Sequence, residues 1–195
     1  MNFLAHIYLS FENESILIGN FIGDFVKGKA MEEYPQEVQN GISLHREIDH
    51  YTDTHPIVTE TKKKLRPTFH HYAPVISDVF YDHFLSSLWS DYHKEPLAEY
   101  TNWAYDVLKN NKKMIPRKAW PMLSYMSRDN WLYNYQFIEG IDRTLTGMSR
   151  RTPFESKMEQ ASDYLVKDYE AYKTDFISFF PELIAHCQQK LNTFE

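Results

Sequence analysis

An all-α fold arranged as a single compact helical domain is predicted by three observations on the sequence. Apolar residues recur with helical period through almost the whole chain, period-2 alternation is scarce, and no Asn-Gly or Asp-Gly turn separates two strand-like runs. A length of 195 residues suits one domain and can bury a sizeable core without disulfides.

The periodicity predicts about seven helices. The first covers 2–10, with Asn2 as its cap. A second covers 15–26, where Gly19 and Gly23 lie four apart and admit close approach of another helix, and Gly28 stops it. Helices over 37–53 and 56–65 follow, the latter short and basic, and Pro74 opens another that runs to Trp89. Next come 96–110, a break around Pro116 and Pro121, and a helix over 124–145 ended by Gly147. Thr152 and Glu155 form a capping-box signal for a last helical run to Leu191, kinked or split at Pro181.

Composition narrows the function. One cysteine, Cys187, excludes an internal disulfide framework and a Cys-rich zinc module, and fits a reducing compartment. The amino terminus lacks the basic and long apolar regions of a signal peptide, and no apolar run reaches the ~18 residues of a membrane span. The expectation is a cytoplasmic protein with no membrane partner. A net charge of −6 argues against nucleic-acid binding, which wants a basic stripe. The sequence sets no oligomeric state.

Two helices carry the chemistry. The 74–89 helix is apolar almost all the way round, through Val75, Ile76, Val79, Phe80, Phe84, Leu85, Leu88 and Trp89, yet it holds Asp78, Asp82 and His83. On the 37–53 helix, Gly41, Leu44, Ile48, Val38 and Ile42 make the inward arc, and His45, Asp49 and Asp53 fall among them, while His50 projects outward. Buried carboxylates must be paired, protonated or metal-bound. Burying so many Asp and His on neighbouring core helices is expensive for a purely structural network, so their convergence predicts an oxygen-and-imidazole site for Mn²⁺, Mg²⁺, Fe²⁺ or Zn²⁺. No Gly-x-Ser-x-Gly elbow, Walker loop or His-Glu-x-x-His motif competes, and Cys187 has no evident activating base. Metal-assisted hydrolysis remains.

The strings NFLAH at 2–6, GNFIGDFVKG at 19–28, GISLHREIDHYTD at 41–53, SDVFYDHFLS at 77–86 and GMSRR at 147–151 resemble the acyl carrier protein phosphodiesterase family over most of the chain. The resemblance implies hydrolysis of the phosphodiester that links 4′-phosphopantetheine to a serine of holo-acyl carrier protein, dependence on Mn²⁺, and an HD-domain-like fold. The usual HD signature has His followed directly by Asp; here only Asp-His occurs, at 49–50 and 82–83. The helical wheel makes Asp82-His83 the dyad equivalent. The resulting expectation places His45, Asp49, Asp78, Asp82 and His83 at the metal and gives Asp24, Asp82 and His83 catalytic roles. His6, Arg150 and Arg151 are expected at the phosphate or behind the ligands.

Lys62, Lys63, Lys64 and Arg66 put four positive charges on one short helix. An acyl carrier protein is small and strongly acidic, so this run is expected to dock it. Two alternative functions fit the same residues: an HD-like hydrolase of small phosphoesters or nucleotides, and a non-catalytic helical module that binds an acidic partner.

Overall fold

In the computed structural model, which describes residues 1–194, the apolar periodicity resolves into helices joined by short turns, with no strand among the described residues. The first five α-helices are α1 (Phe3–Tyr8), α2 (Glu14–Ile22), α3 (Gln36–Thr54), α4 (Pro56–Phe69) and α5 (Ala73–Ser87). They continue with α6 (Trp89–Tyr92), α7 (Leu97–Asn110), α8 (Trp120–Arg128), α9 (Trp131–Asn134), α10 (Ile138–Ser149), α11 (Ala161–Lys167) and α12 (Tyr169–Asn192). One hydrophobic core runs through them, and α5 lies at its centre: every residue from Val79 to Ser86 is buried. No helix is long and apolar enough to cross a membrane among the described residues.

The α2–α3 crossing positions the site. A Cβ on Gly19 would collide with the Val38 carbonyl, and one on Gly41 with the Ile16 carbonyl, so paired glycines let the two backbones touch. On α3 the apolar part of the expected arc holds, with Val38, Gly41, Ile42, Leu44, His45 and Ile48 buried and Arg46 and His50 exposed. Asp49 is only half-buried, and Asp53, expected inward, is exposed near the end of the helix, where it pairs with Lys62.

Several boundaries differ from expectation. The 124–145 helix is three pieces, because Asn130 adopts a left-handed backbone at φ 46° and Phe137 is extended. The amide of Asn134 donates to the carbonyls of Asp129 and Asn130 and closes the break. Gly147 lies inside α10, which runs on to Ser149. The capping box does not form: the Thr152 hydroxyl donates to the carbonyls of Ser149 and Phe154, and the next α-helix starts only at Ala161. Pro181 does not split α12, whose buried Phe176, Phe179, Phe180, Leu183 and Cys187 form one continuous stripe. Its missing N–H frees the carbonyl of Ile177, which is exposed to water. Pro67 is likewise absorbed into α4, extended to Phe69 by that ring's burial.

The candidate metal centre

α1, α2, α3 and α5 enclose a cleft of about 220 Å³ lined by residues that include His6, Asp24, His45, Asp49, Asp53 and Asp78. At its floor the rings of His6 and His45 stack with centroids 4.1 Å apart. Asp49 spans both: Oδ1 is 3.2 Å from His6 Nε2 and Oδ2 is 3.2 Å from His45 Nε2. Asp24, at the mouth and largely exposed, reaches His45 Nε2 at 3.4 Å. The α-ammonium of Met1 lies 3.2 Å from Asp78 Oδ1 and 3.8 Å from Asp49 Oδ1.

One asparagine sets both imidazoles. His45 Nδ1 lies 2.7 Å from the backbone carbonyl of Asn20, and His6 Nδ1 lies 2.8 Å from its side-chain oxygen. Both partners accept only, so each Nδ1 carries the proton and donates. The amide orientation of Asn20 is fixed in turn, since Nδ2 donates to the His6 carbonyl at 2.6 Å and to Ser10 Oγ at 3.2 Å. With Nδ1 committed on each ring, Nε2 is the atom turned towards Asp49; on His6 it also lies 3.2 Å from the Met1 carbonyl, and on His45 it carries a proton up to about pH 9 that a bound metal would displace. Gly23 completes the setting, because any Cβ there would strike the His45 ring.

Charge follows geometry. Burial alone would lower the pKa of His45, but Asp24 and Asp49 beside it raise it to about 9. His6, more deeply buried and next to that cation, falls to about 4. Burial would raise Asp49, yet the two imidazoles hold it well below the usual carboxylate range. Asp78 is pushed up by burial against the pull of the Met1 ammonium. Asp24 is held down by His45.

These residues fit a divalent cation. His6, His45 and Asp49 offer ligand atoms all within 4.8 Å of one another. His45 Nε2 and Asp78 Oδ1 are buried without a hydrogen-bond partner. The distances to Asp24 and Asp49 are short enough for ion pairing, but neither carboxylate meets His45 with hydrogen-bonding geometry, which leaves a donor atom aimed at the space between them. Imidazole with carboxylate suits Mn²⁺, Fe²⁺ or Zn²⁺.

Asp82 and His83 are not brought to this cluster. Asp82 is fully buried, and its two oxygens accept from the backbone N–H groups of Leu4 at 2.7 Å and Ala5 at 3.1 Å. It caps α1, a task expected of Asn2, whose amide instead donates to the Tyr135 hydroxyl. Burial raises Asp82 to about 7 despite those two donors. His83 turns the other way round α5, donating from Nδ1 to the Tyr135 carbonyl at 2.8 Å and placing Nε2 3.0 Å from the Tyr169 hydroxyl. Arg150 and Arg151 are absent from the cleft lining; Arg151 borders a separate groove with Tyr125, Trp131 and Arg143.

The basic run on α4 is largely neutralised. Lys62 is buried with its ammonium 2.6 Å from Asp53, Lys63 pairs with Glu60 at 2.6 Å, and Lys64 pairs with Asp175 at 2.8 Å. Arg66 alone of the four is exposed without an ion pair among the described residues. Sequence reasoning missed Asn20 as the brace of both imidazoles. Its signal was the one that exposed α5, a polar residue inside the apolar run Ile16 to Ile22.

The fold and cleft define an all-α protein whose core helices hold an imidazole–carboxylate cluster. Residues 1–183 match the acyl carrier protein phosphodiesterase family. A relative from Enterobacter sp. (strain 638), named acyl carrier protein phosphodiesterase, is 35% identical over 191 residues, covering 97% of this chain and 99% of the relative. The protein of the same name from Escherichia coli O6:H1 is also 35% identical over 191 residues, with the same coverage. No solved structure matches the chain. The chain belongs to the acyl carrier protein phosphodiesterase family.

Proposed function

We propose that this protein is a divalent-metal-dependent phosphodiesterase, acting in the cytoplasm, that removes 4′-phosphopantetheine from holo-acyl carrier protein to leave the apo form. The names of its relatives support the substrate. The observation that carries the chemistry is the convergence of two Nε2 atoms, each with its ring fixed through Nδ1, on one carboxylate in an open cleft.

His6, His45 and Asp49 would hold the ion, with Asp24 beside them and Mn²⁺ the first choice. When bound, a divalent ion lowers the pKa of water and polarises a phosphoryl oxygen. The protein supplies the rest. Asn20 keeps both rings in one tautomer and orientation. Asp24 is ionised, exposed at the mouth and adjacent to the cluster, so its carboxylate can orient an attacking water and accept its proton at Oδ1 or Oδ2. Phe3, Phe21, Pro74 and Val75 line the apolar side of the cleft and suit the pantetheine arm, while the aspartates face the phosphate end. The water oxygen bonds to phosphorus as the P–O bond to the serine breaks, the serine oxygen takes up the proton that Asp24 accepted, and the phosphate leaves on pantetheine.

Incubation with holo-acyl carrier protein and Mn²⁺, followed by intact-protein mass measurement, tests the reading. Conversion to the apo mass, abolished by chelation, is expected. Unchanged holo protein in the presence of Mn²⁺, Mg²⁺, Fe²⁺ and Zn²⁺ would refute it.

A further inference from the structure

Arg66 apart, the free positive charge of this part of the surface is not on α4. Residues 109–118 read KNNKKMIPRK, five cations and no acid. Lys109, Lys112, Lys113, Arg117 and Lys118 are all exposed, and none forms an ion pair among the described residues. In a chain of net charge −6 such an unneutralised stretch is costly to concentrate unless something uses it.

The stretch is also rigid and close to the cleft. Two 3₁₀ turns, Lys112–Met114 and Arg117–Ala119, frame it, and buried Ile115 and Ala119 pin it to the core. The Trp120 indole donates to the Ile115 carbonyl at 2.9 Å, and the Lys112 ammonium sits 4.2 Å over the Trp120 ring. The ammonium of Lys118 lies 5.8 Å over the ring of Phe25, the residue after Asp24 at the mouth of the cleft. Exposed Lys27 follows two residues beyond Phe25.

We propose that this ledge, Lys112 to Lys118 with Lys27 beside it, is the surface on which an acidic carrier protein docks to present its phosphodiester to the cleft. The inference rests on the carrier-protein reading given above. It answers a difficulty that reading raises: Asp24, Asp49, Asp53 and Asp78 line the cleft and are matched there by His45, Lys62 and the Met1 ammonium, so among the described residues the cleft offers an acidic partner no free cation. A preformed positive rim supplies it at the point of contact and fixes orientation. The lysines of α4 do not serve, because their charge is already spent on Asp53, Glu60 and Asp175.

The test compares Lys113→Glu/Arg117→Glu/Lys118→Glu with the control pair Lys63→Glu/Lys64→Glu, each confirmed folded by circular dichroism. Purified apo-acyl carrier protein is titrated against each protein by calorimetry at low and at high salt. KM and kcat are measured on the holo form and on bis(p-nitrophenyl) phosphate. For the triple variant Kd and KM should rise about tenfold or more at low salt, and the defect should shrink once the Debye length falls to a few ångströms. Its turnover of the small diester should match wild type, and the control pair should bind almost normally. Equal binding by wild type and triple variant overturns the proposal, as does an equal loss in the control pair, which shows a generic charge effect. Loss of kcat on the small diester overturns it too, as structural damage, and so does absence of binding by the wild type. If the wild type binds the carrier through this ledge but never converts it, the docking stands and the phosphodiesterase reading fails.

Discussion

Asn20→Ala separates a metal-site brace from ordinary core packing. The substitution deletes the acceptor for the Nδ1–H of His6 and the donor to the His6 carbonyl, but leaves the backbone carbonyl that fixes His45. The His6 carbonyl keeps the Ser10 hydroxyl at 2.9 Å, so the main orphan is one buried imidazole N–H. Leaving it unsatisfied costs about 1–3 kcal/mol. For a chain of this size each kcal/mol corresponds to roughly 2–4 °C in Tm, so a fall of about 2–12 °C is expected. The brace itself should show in the metal. Loss of a hydrogen bond behind a histidine ligand typically costs about 10–100-fold in affinity, here read as Mn²⁺ binding by calorimetry or by electron paramagnetic resonance of the free ion. Ser10→Ala is the control, because it breaks the Ser10 contacts to Asn20 and to the His6 carbonyl without touching the His6 Nδ1 bond. It should lower Tm and leave Mn²⁺ affinity within a few-fold of wild type. If Asn20→Ala lowers Tm but binds Mn²⁺ within twofold of wild type, Asn20 is a core residue only and the tautomer argument is wrong.

Further outcomes follow from the same geometry. Asp49→Asn should abolish Mn²⁺ binding and lower the stability of the metal-free protein, because it removes the carboxylate between the two imidazoles. Asp82→Asn, which sets an amide N–H against an N–H of α1, should instead lower stability by about 1–3 kcal/mol in chemical denaturation while Mn²⁺ still binds; Mn²⁺ binding lost in Asp82→Asn and kept in Asp49→Asn would move the metal to Asp82. His83→Ala should behave like Asp82→Asn, since it strands the Tyr135 carbonyl and the Tyr169 hydroxyl, and a complete loss of kcat at saturating metal would contradict that. Gly23→Ala should disable metal binding by driving the His45 ring off its position, and a normal calorimetric titration would refute the steric reading. Mn²⁺ must displace the proton that His45 holds up to about pH 9, so Kd should fall about tenfold per pH unit between pH 6.5 and 8.5, and a flat profile counts against His45 as a ligand. Without metal the raised pKa of His45 stabilises the fold fully below about pH 6.5, and that contribution is lost as pH rises through about 9, which denaturant titrations across this range would detect.

The two site-bearing helices were legible because the sequence keeps Asp and His inside apolar arcs, and on α3 the wheel placed His45 inward and His50 outward as observed. A wheel gives direction on one helix and is silent on what arrives from another. Asp49 and Asp82 look alike in sequence, a carboxylate on the buried face of a core helix. Two imidazoles from different helices meet the first, and the N-terminus of α1 meets the second, so one becomes a candidate ligand and the other a cap. The same limit governs charge. The run Lys62 to Arg66 reads as a patch because two of its partners, Asp53 and Asp175, stand 9 and 111 residues away along the chain, out of reach of any local pattern; only Glu60, one helical turn before Lys63, was within it. The cations of 109–118 are spread through turns by Pro116 and two asparagines, and so escape notice as a run. Asn20 was readable by the rule that exposed α5, since an amide inside an apolar run must bond to something. Which groups it bonds, two histidines on two different helices, is decided by the Gly19–Gly41 contact that brings α2 and α3 together.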